Sequence, residues 1–283
     1  MIGSVLRRAG VSLAVSGALV CGPVGCGPSD TSADKPGQAE TPAATRISRE
    51  LSAVREKTDA AGSARVDCAM AVGETVATRS TGALDWTGGL SGTLTITYTG
   101  GSWAETMREL GNASTPARFV SDAYYARMSD KFAAASGHGR HWIKYDYGAT
   151  VNFSPAQSVE LLLAAPDARE VGPAKVRGVR TTHYSGTVDA AALGAPRPGL
   201  TGAEVAELRK WLTQAGVSKE RVDIWVDARG RLVKRSERAE TSGGMSVTTA
   251  HYSDYGTRVR IPEAPPAADT VDFAAVASAG PSE

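Results

Sequence analysis

The sequence predicts an α+β protein: one curved antiparallel sheet with helices covering its concave face. Three observations carry that expectation. Several segments alternate apolar and polar residues with the period of a half-buried strand, most plainly Leu94-Thr95-Ile96-Thr97-Tyr98 with its threonine outer face. Tight glycine turns, among them Gly88-Gly89, Gly100-Gly101 and Gly243-Gly244, separate such segments and imply antiparallel pairing. Three further segments carry apolar residues at helical spacing. A curved sheet must bury its apolar face, and these three helices are the cover the chain offers.

The chain opens on a different signal. Arg7 and Arg8 precede an apolar run from Val11 to Val20, about ten residues long and too short to span a bilayer. Val24-Gly25-Cys26 follows. A small residue before a cysteine at the end of such a run resembles the lipobox of bacterial lipoproteins, although Pro23 stands where a leucine is usual. Cys21 competes for the role, but β-branched Val20 before it fits a small-residue cleavage pocket badly. The resemblance makes residues 1–25 a signal peptide. It implies a diacylglyceryl thioether on Cys26 and a membrane anchor on the extracytoplasmic face of the cell membrane. Acyl chains contribute about 0.8 kcal/mol per buried CH₂, so two or three of them hold firmly.

Residues 26–44 are rich in Ser, Pro, Ala, Thr and Gly with no apolar period, and read as a disordered tether. The globular domain is expected over 45–266. Ile47, Leu51, Val54 and Thr58 predict a first helix over 45–61. After the threonine-faced strand, residues 117–128 predict a hairpin around Ser121-Asp122, and 141–147 an aromatic-rich strand. Ser154-Pro155-Ala156-Gln157 reads as a capping box, opening a helix whose apolar face is Val159, Leu162 and Leu163. Strands return over 174–189. Thr201-Gly202-Ala203-Glu204 is a second capping box, before a stripe of Val205, Leu208, Trp211, Leu212 and Ala215. Val222, Ile224 and Val226 share one face of a strand over 220–227. Two more strands, 232–240 and 245–252, complete the pattern. Residues 267–283, rich in alanine and proline, read as a flexible tail.

Composition excludes some functions. The formal charge of +1 falls by two, to −1, when Arg7 and Arg8 leave with the signal, so there is no basic footprint for nucleic acid. Of the three cysteines, only Cys68 remains free of signal and anchor, so no intramolecular disulfide can form. Its alternation with Val66 and Met70 predicts a buried structural thiol.

His138 and His141 stand three apart in a glycine-rich turn, a metal pair only if further ligands converge on them. His183 and His251 sit beside tyrosines in strands and read as solvent-facing or hydrogen-bonded. Asp223 and Asp227 have the types of a glycosidase pair, but their expected role is strand-end solvation. Nucleotide-binding glycine motifs and the Gly-x-Ser-x-Gly elbow are absent from the sequence. The sequence therefore predicts no catalytic residue, no metal site, no cofactor and no enzymatic activity.

A family resemblance lies in three stretches. The first runs from Val176 through Arg177-Gly178-Val179 and Thr182-His183-Tyr184-Ser185-Gly186 to Asp189. The second is Arg221-Val222-Asp223-Ile224-Trp225-Val226-Asp227 with Gly230 and Leu232-Val233-Lys234-Arg235. The third is His251-Tyr252-Ser253-Asp254-Tyr255-Gly256, followed by Ile261-Pro262. With the lipobox, they make residues 45–266 resemble actinobacterial lipoproteins of the LolA-like, LppX/LprG type. That resemblance implies a half β-barrel whose concave face is plugged by helices, with acyl chains held between sheet and helices in some members. Leu94, Ile96, Tyr98, Val159, Leu162, Leu163, Leu208, Trp211 and Leu212 are the candidate lining residues. Each is either plain core or part of a ligand cavity, because both readings rest on the same burial. The function expected is binding or carriage of a lipid or other hydrophobic molecule by a membrane-anchored monomer. The alternative is a cell-envelope lipoprotein that binds a protein partner, of unknown identity, without any small-molecule ligand.

Overall fold

In a computed structural model, residues 42–121, 123–135, 138–146, 154–194, 196–241 and 243–278 are described. The expectations for Cys21, Cys26 and the signal peptide, for most of the tether, and for Tyr147 lie outside them. The chain runs α1 (Pro42–Ala60), β1 (Ser63–Val72), β2 (Val76–Asp85), β3 (Ser91–Gly100), α2 (Ser102–Glu109), β4 (Ser114–Val120), β5 (Ala123–Arg127), α3 (Asp130–Ala135) and β6 (Trp142–Asp146). It continues with α4 (Pro155–Ala164), β7 (Arg169–Val176), β8 (Val179–Asp189), α5 (Gly202–Gln214), β9 (Val217–Asp227), β10 (Leu232–Thr241), β11 (Gly244–Ser253), β12 (Thr270–Asp272) and α6 (Phe273–Ser278).

The strands form one open twelve-stranded sheet in the order β12-β6-β5-β4-β3-β2-β1-β11-β10-β9-β8-β7. Two meanders make it. One runs outward from β1 to β6, the other inward from β7 to β11, and they join where β1 pairs with β11. Neighbours are antiparallel, as the glycine turns predicted, except that β12 adds to β6 in parallel. Edges at β12 and β7 leave the barrel half open. Passing from β6 to β7 requires the chain to cross the whole sheet, and α4 makes that crossing, packed on α1 and on β8, β9 and β10.

The sequence pattern chooses the covered face. On β3, Leu94 is buried while Thr93, Thr95 and Thr99 are exposed. Register carries that face across the sheet: Leu94 lies opposite Gly82 and Ala117, and Val66 opposite Tyr252. The main core joins α1, α4 and α5 to this face through Leu51, Leu162, Leu212, Val222, Ile224 and Ala250. A separate, smaller core gathers Met107, Ala126, Met128, Phe132, Ile143 and Val271 under the short helices α2, α3 and α6. Those short helices went unpredicted because eight residues or fewer cannot display a helical period.

Two glycines are required by approach. Gly186 on β8 faces α4, where a Cβ would stand 2.7 Å from the Ala165 Cβ and 2.8 Å from a Leu162 methyl. At Gly92 (φ 140°), a Cβ would meet the Ala83 carbonyl oxygen at 2.3 Å.

Three expectations need correction. Helix α1 starts at Pro42, three residues early, because proline costs nothing in a first turn whose N–H groups are unpaired anyway. Ser154 does cap α4, but its side chain makes no capping hydrogen bond, so that capping box does not close; the one at Thr201 and Glu204 does. The segment expected as a flexible tail instead docks through residue 278. Val271 enters the smaller core, Phe273 stacks on Tyr145 with centroids 4.8 Å apart, and Asp269 accepts hydrogen bonds from His141. Alanine-rich composition hid those few anchoring side chains.

Candidate functional site between sheet and helices

The covered face is not uniformly apolar. On β9, Glu220 shares the phase of Val222, Ile224 and Val226, and is buried with them. On β10 a register shift between Leu232 and Lys234 moves the odd-numbered residues inward, which buries Arg235, Glu237 and Ala239. Arg235 has no exposed surface, and its Nη1 donates to both Glu237 oxygens at 2.8 Å. Helix α4 sends one polar group into this cluster. Ser158 Oγ donates to Glu237 Oε1 at 2.7 Å and accepts from Arg235 Nη1 at 3.0 Å. One serine thus ties the crossing helix to the sheet.

Glu220 is treated differently. Its Oε2 is buried without a hydrogen-bond partner among the described residues. Burial, then the nearby Glu237 carboxylate, push its pKa up to about 8, against a smaller opposing pull from Arg235. Near neutral pH the carboxyl therefore carries its proton. Cys68 faces the same cluster from β1, and burial pushes its thiol up to about 11, so it is an inert structural thiol.

The candidate lining residues divide between the two cores. Leu94, Val159, Leu162, Leu163, Leu208 and Leu212 are buried members of the main core, with Ile96 and Trp211 packed at its margin. Tyr98 belongs to the smaller one. The boundary crosses β3 between Ile96 and Tyr98. It crosses β5 between Tyr124 and Ala126, and there Tyr124 of the main core stacks on Tyr145 of the smaller one, centroids 4.5 Å apart and rings within 2° of parallel.

The polar candidates are placed elsewhere. His183 Nε2 lies 2.9 Å from Asp223 Oδ1 on the outer face, its ring stacked on Trp225. Asp223 is not at a solvated strand end, as the sequence suggested. It is buried mid-strand, and hydrogen bonds from Arg221 and His183 outweigh its desolvation and hold its pKa below the usual range. Asp227 closes the β9–β10 turn, accepting from the Arg229 and Arg231 N–H groups at 2.9 Å. Each acid is committed to its own partners. His141 faces Asp269 and Asp130. Among the described residues no three His, Cys, Asp or Glu side chains converge on a metal-sized site.

An open, largely antiparallel sheet with helices closing one face defines an α+β protein. No protein-family model matches the chain. A Streptomyces coelicolor protein named "Putative lipoprotein SCO4650" is 44% identical over 304 aligned residues, covering 96% of this chain and 97% of its own. A 31.2 kDa Streptomyces griseus protein, encoded between rplA and rplJ, is 44% identical over 239 residues, covering 79% of this chain and 78% of its own. The chain belongs to the family of these two Streptomyces proteins. Among solved structures, the Mycobacterium tuberculosis lipoprotein LppX superposes with a TM-score of 0.47 at 14% identity, over 77% of this chain and 98% of LppX.

Proposed function

We propose that this protein is a membrane-anchored, extracytoplasmic lipoprotein that binds a lipid or other hydrophobic molecule between sheet and helices, without catalysing a reaction. One observation carries the reading. A single sheet face is covered by two groups of helices whose apolar side chains form two clusters rather than one. A domain of one sheet commonly packs one main core with smaller satellite clusters, and the seam between two clusters is a place where an apolar ligand can lie. Here half-buried Ile96 and Tyr98 sit on either side of the division. Tyr124 and Tyr145 bridge the two clusters at one end of that division, and an acyl chain lying beside Ile96 and Tyr98 would bury apolar surface worth roughly 25 cal/mol per Å². The buried ions beneath α4 favour the same reading, because an interface that rests on desolvated charges is held closed less strongly than an all-apolar one.

Native mass spectrometry of the full chain purified from its own membrane tests the proposal. A lipid adduct retained in the folded state is the expected result. A ligand-free species that takes up no lipid on incubation overturns it, and crosslinking in cells to one specific protein would then favour the protein-binding alternative.

A further inference from the structure

One row of side chains crosses the covered face at right angles to the strands. Glu237 on β10 lies opposite Thr248 on β11, Thr248 opposite Met70 on β1, Met70 opposite Thr78 on β2, and Thr78 opposite Tyr98 on β3. The row shares the inward phase of Ala250, Cys68, Leu84 and Leu94. It starts beneath α4, at the buried ion pair, and ends in the smaller core at Tyr98. Thr248 and Met70 between them are half-buried and belong to neither apolar cluster. The row therefore spans the division between the cores. Just past Thr78 the β2–β3 ladder shifts register, an irregularity that re-aims side chains.

Its hydroxyls lack partners. Thr78 is 8% exposed and Ser80, two residues along the same strand face, 4%, yet neither hydroxyl has a hydrogen-bond partner among the described residues. Nor have the hydroxyls of Thr248 and Tyr98. Tyr98 opposes Thr78 directly, which sets their Cβ atoms about 5 Å apart. Burial raises the Tyr98 phenol above its ordinary value, so it remains a donor near neutral pH. A buried hydroxyl left unpaired costs free energy, and a ligand oxygen at Thr78, Ser80 and Tyr98 would remove that cost. The one charge in the row is committed: both oxygens of Glu237 are held by Arg235, and one of them also by Ser158. A charged head would be buried here without a counter-ion.

We infer that Thr78, Ser80 and Tyr98 receive the uncharged, hydroxyl-bearing head of a lipid whose hydrocarbon part lies along Ile96 in the division between the cores. Ile96 opposes Ser80 across β2 and β3, so the hydrocarbon starts beside the head. The inference rests on the proposed hydrophobic-ligand function and names the polar end that the site selects. Side-chain hydroxyls both donate and accept, which matches a diol better than an ester oxygen that only accepts.

The probes for the test share one oleoyl chain and differ in the head: 1-oleoylglycerol, methyl oleate and oleic acid. Each is incubated with the full chain near neutral pH, and adducts are counted by native mass spectrometry. Oleoylglycerol should exceed methyl oleate about tenfold, the size of one or two neutral hydrogen bonds, and should exceed oleic acid as well. Thr78→Val combined with Tyr98→Phe removes two hydroxyls at nearly constant shape. It should bring the ratio of glyceryl to methyl ester to within about twofold of 1 while leaving methyl oleate adducts unchanged. Thr95→Val, on the exposed face of β3, should keep the high ratio. Equal binding of the two esters overturns this inference alone. So does a preference for the acid, a ratio that survives in the double variant, or one lost equally in Thr95→Val. Binding of none of the three probes overturns the hydrophobic-ligand reading itself.

Discussion

Arg235 and Glu237, two residues apart on β10, form a bidentate ion pair on the covered face of the sheet, with no solvent access to the guanidinium. Such a pair adds little net stability, because desolvation offsets most of the attraction, but breaking it strands a charge. Glu237→Ala should cost about 3–5 kcal/mol in urea unfolding. The apolar pair Arg235→Met with Glu237→Leu should cost far less than the single change. A single variant as stable as the wild type would mean that the charge finds another partner.

The Glu220 carboxyl sits above its ordinary value in the folded chain, so the folded state holds its proton more tightly than the unfolded state does. Its stabilising contribution is complete below about pH 4.5. It is lost as pH rises through about 8. Glu237 and Arg235 are the charged groups that face it. Thermal melts from pH 5 to 9 should fall with pH in the wild type, and much of that slope should vanish in Glu220→Gln. An unchanged slope in the variant counts against a protonated Glu220.

Gly186 sets how closely α4 approaches the sheet. Gly186→Ala places a methyl within 3 Å of Ala165 and Leu162, and should cost roughly 1–3 kcal/mol through overpacking. Gly88→Ala, where an added Cβ has nothing within 4 Å, is the comparison and should shift the urea midpoint very little.

Phe273 is the last ring of a stack that runs Phe119, Tyr124, Tyr145, Phe273 across β4, β5, β6 and α6. Phe273→Ala should cost roughly 2 kcal/mol, less than for a fully buried phenylalanine. Because β12 is bonded only to β6, the loss should appear first as faster proteolysis between Pro262 and Asp272, with the global melting temperature nearly unchanged.

The membrane anchor has its own test. Cys26→Ser should release the protein from the membrane fraction into the soluble one. Retention of the variant on membranes would remove Cys26 as the lipidated residue.

Long-period patterns were legible in the sequence, and single irregularities were not. Val222, Ile224 and Val226 marked β9 because their alternation is unbroken, and Glu220 lay in the same phase, a signal of burial that polarity masked. Arg235 and Glu237 could not be placed, because the register shift after Leu232 swaps which residues face inward and nothing in the composition announces it. The helical stripes marked five residues that are buried against the sheet, Val159, Leu162, Leu163, Leu208 and Leu212, and one, Trp211, that packs at the margin of the core. Tyr98 was read as a partner of Leu94, which is correct for the face but not for the cluster, since the division between cores is a property of which helices lie above.

The pairing of β1 with β11 has a consequence for how the protein comes to fold. Its central ladder joins Arg65 to Ser253, near the two ends of the domain's sequence. Each meander can close by local hairpins, but the middle of the sheet must wait for a long loop to find its ends. Such topology slows folding, and synthesis cannot shorten the wait, because the strand that completes the ladder is made almost last. In a nascent chain of this design the two meanders stay unjoined until β11 has been made, so the covered face of the sheet is completed only near the end of synthesis.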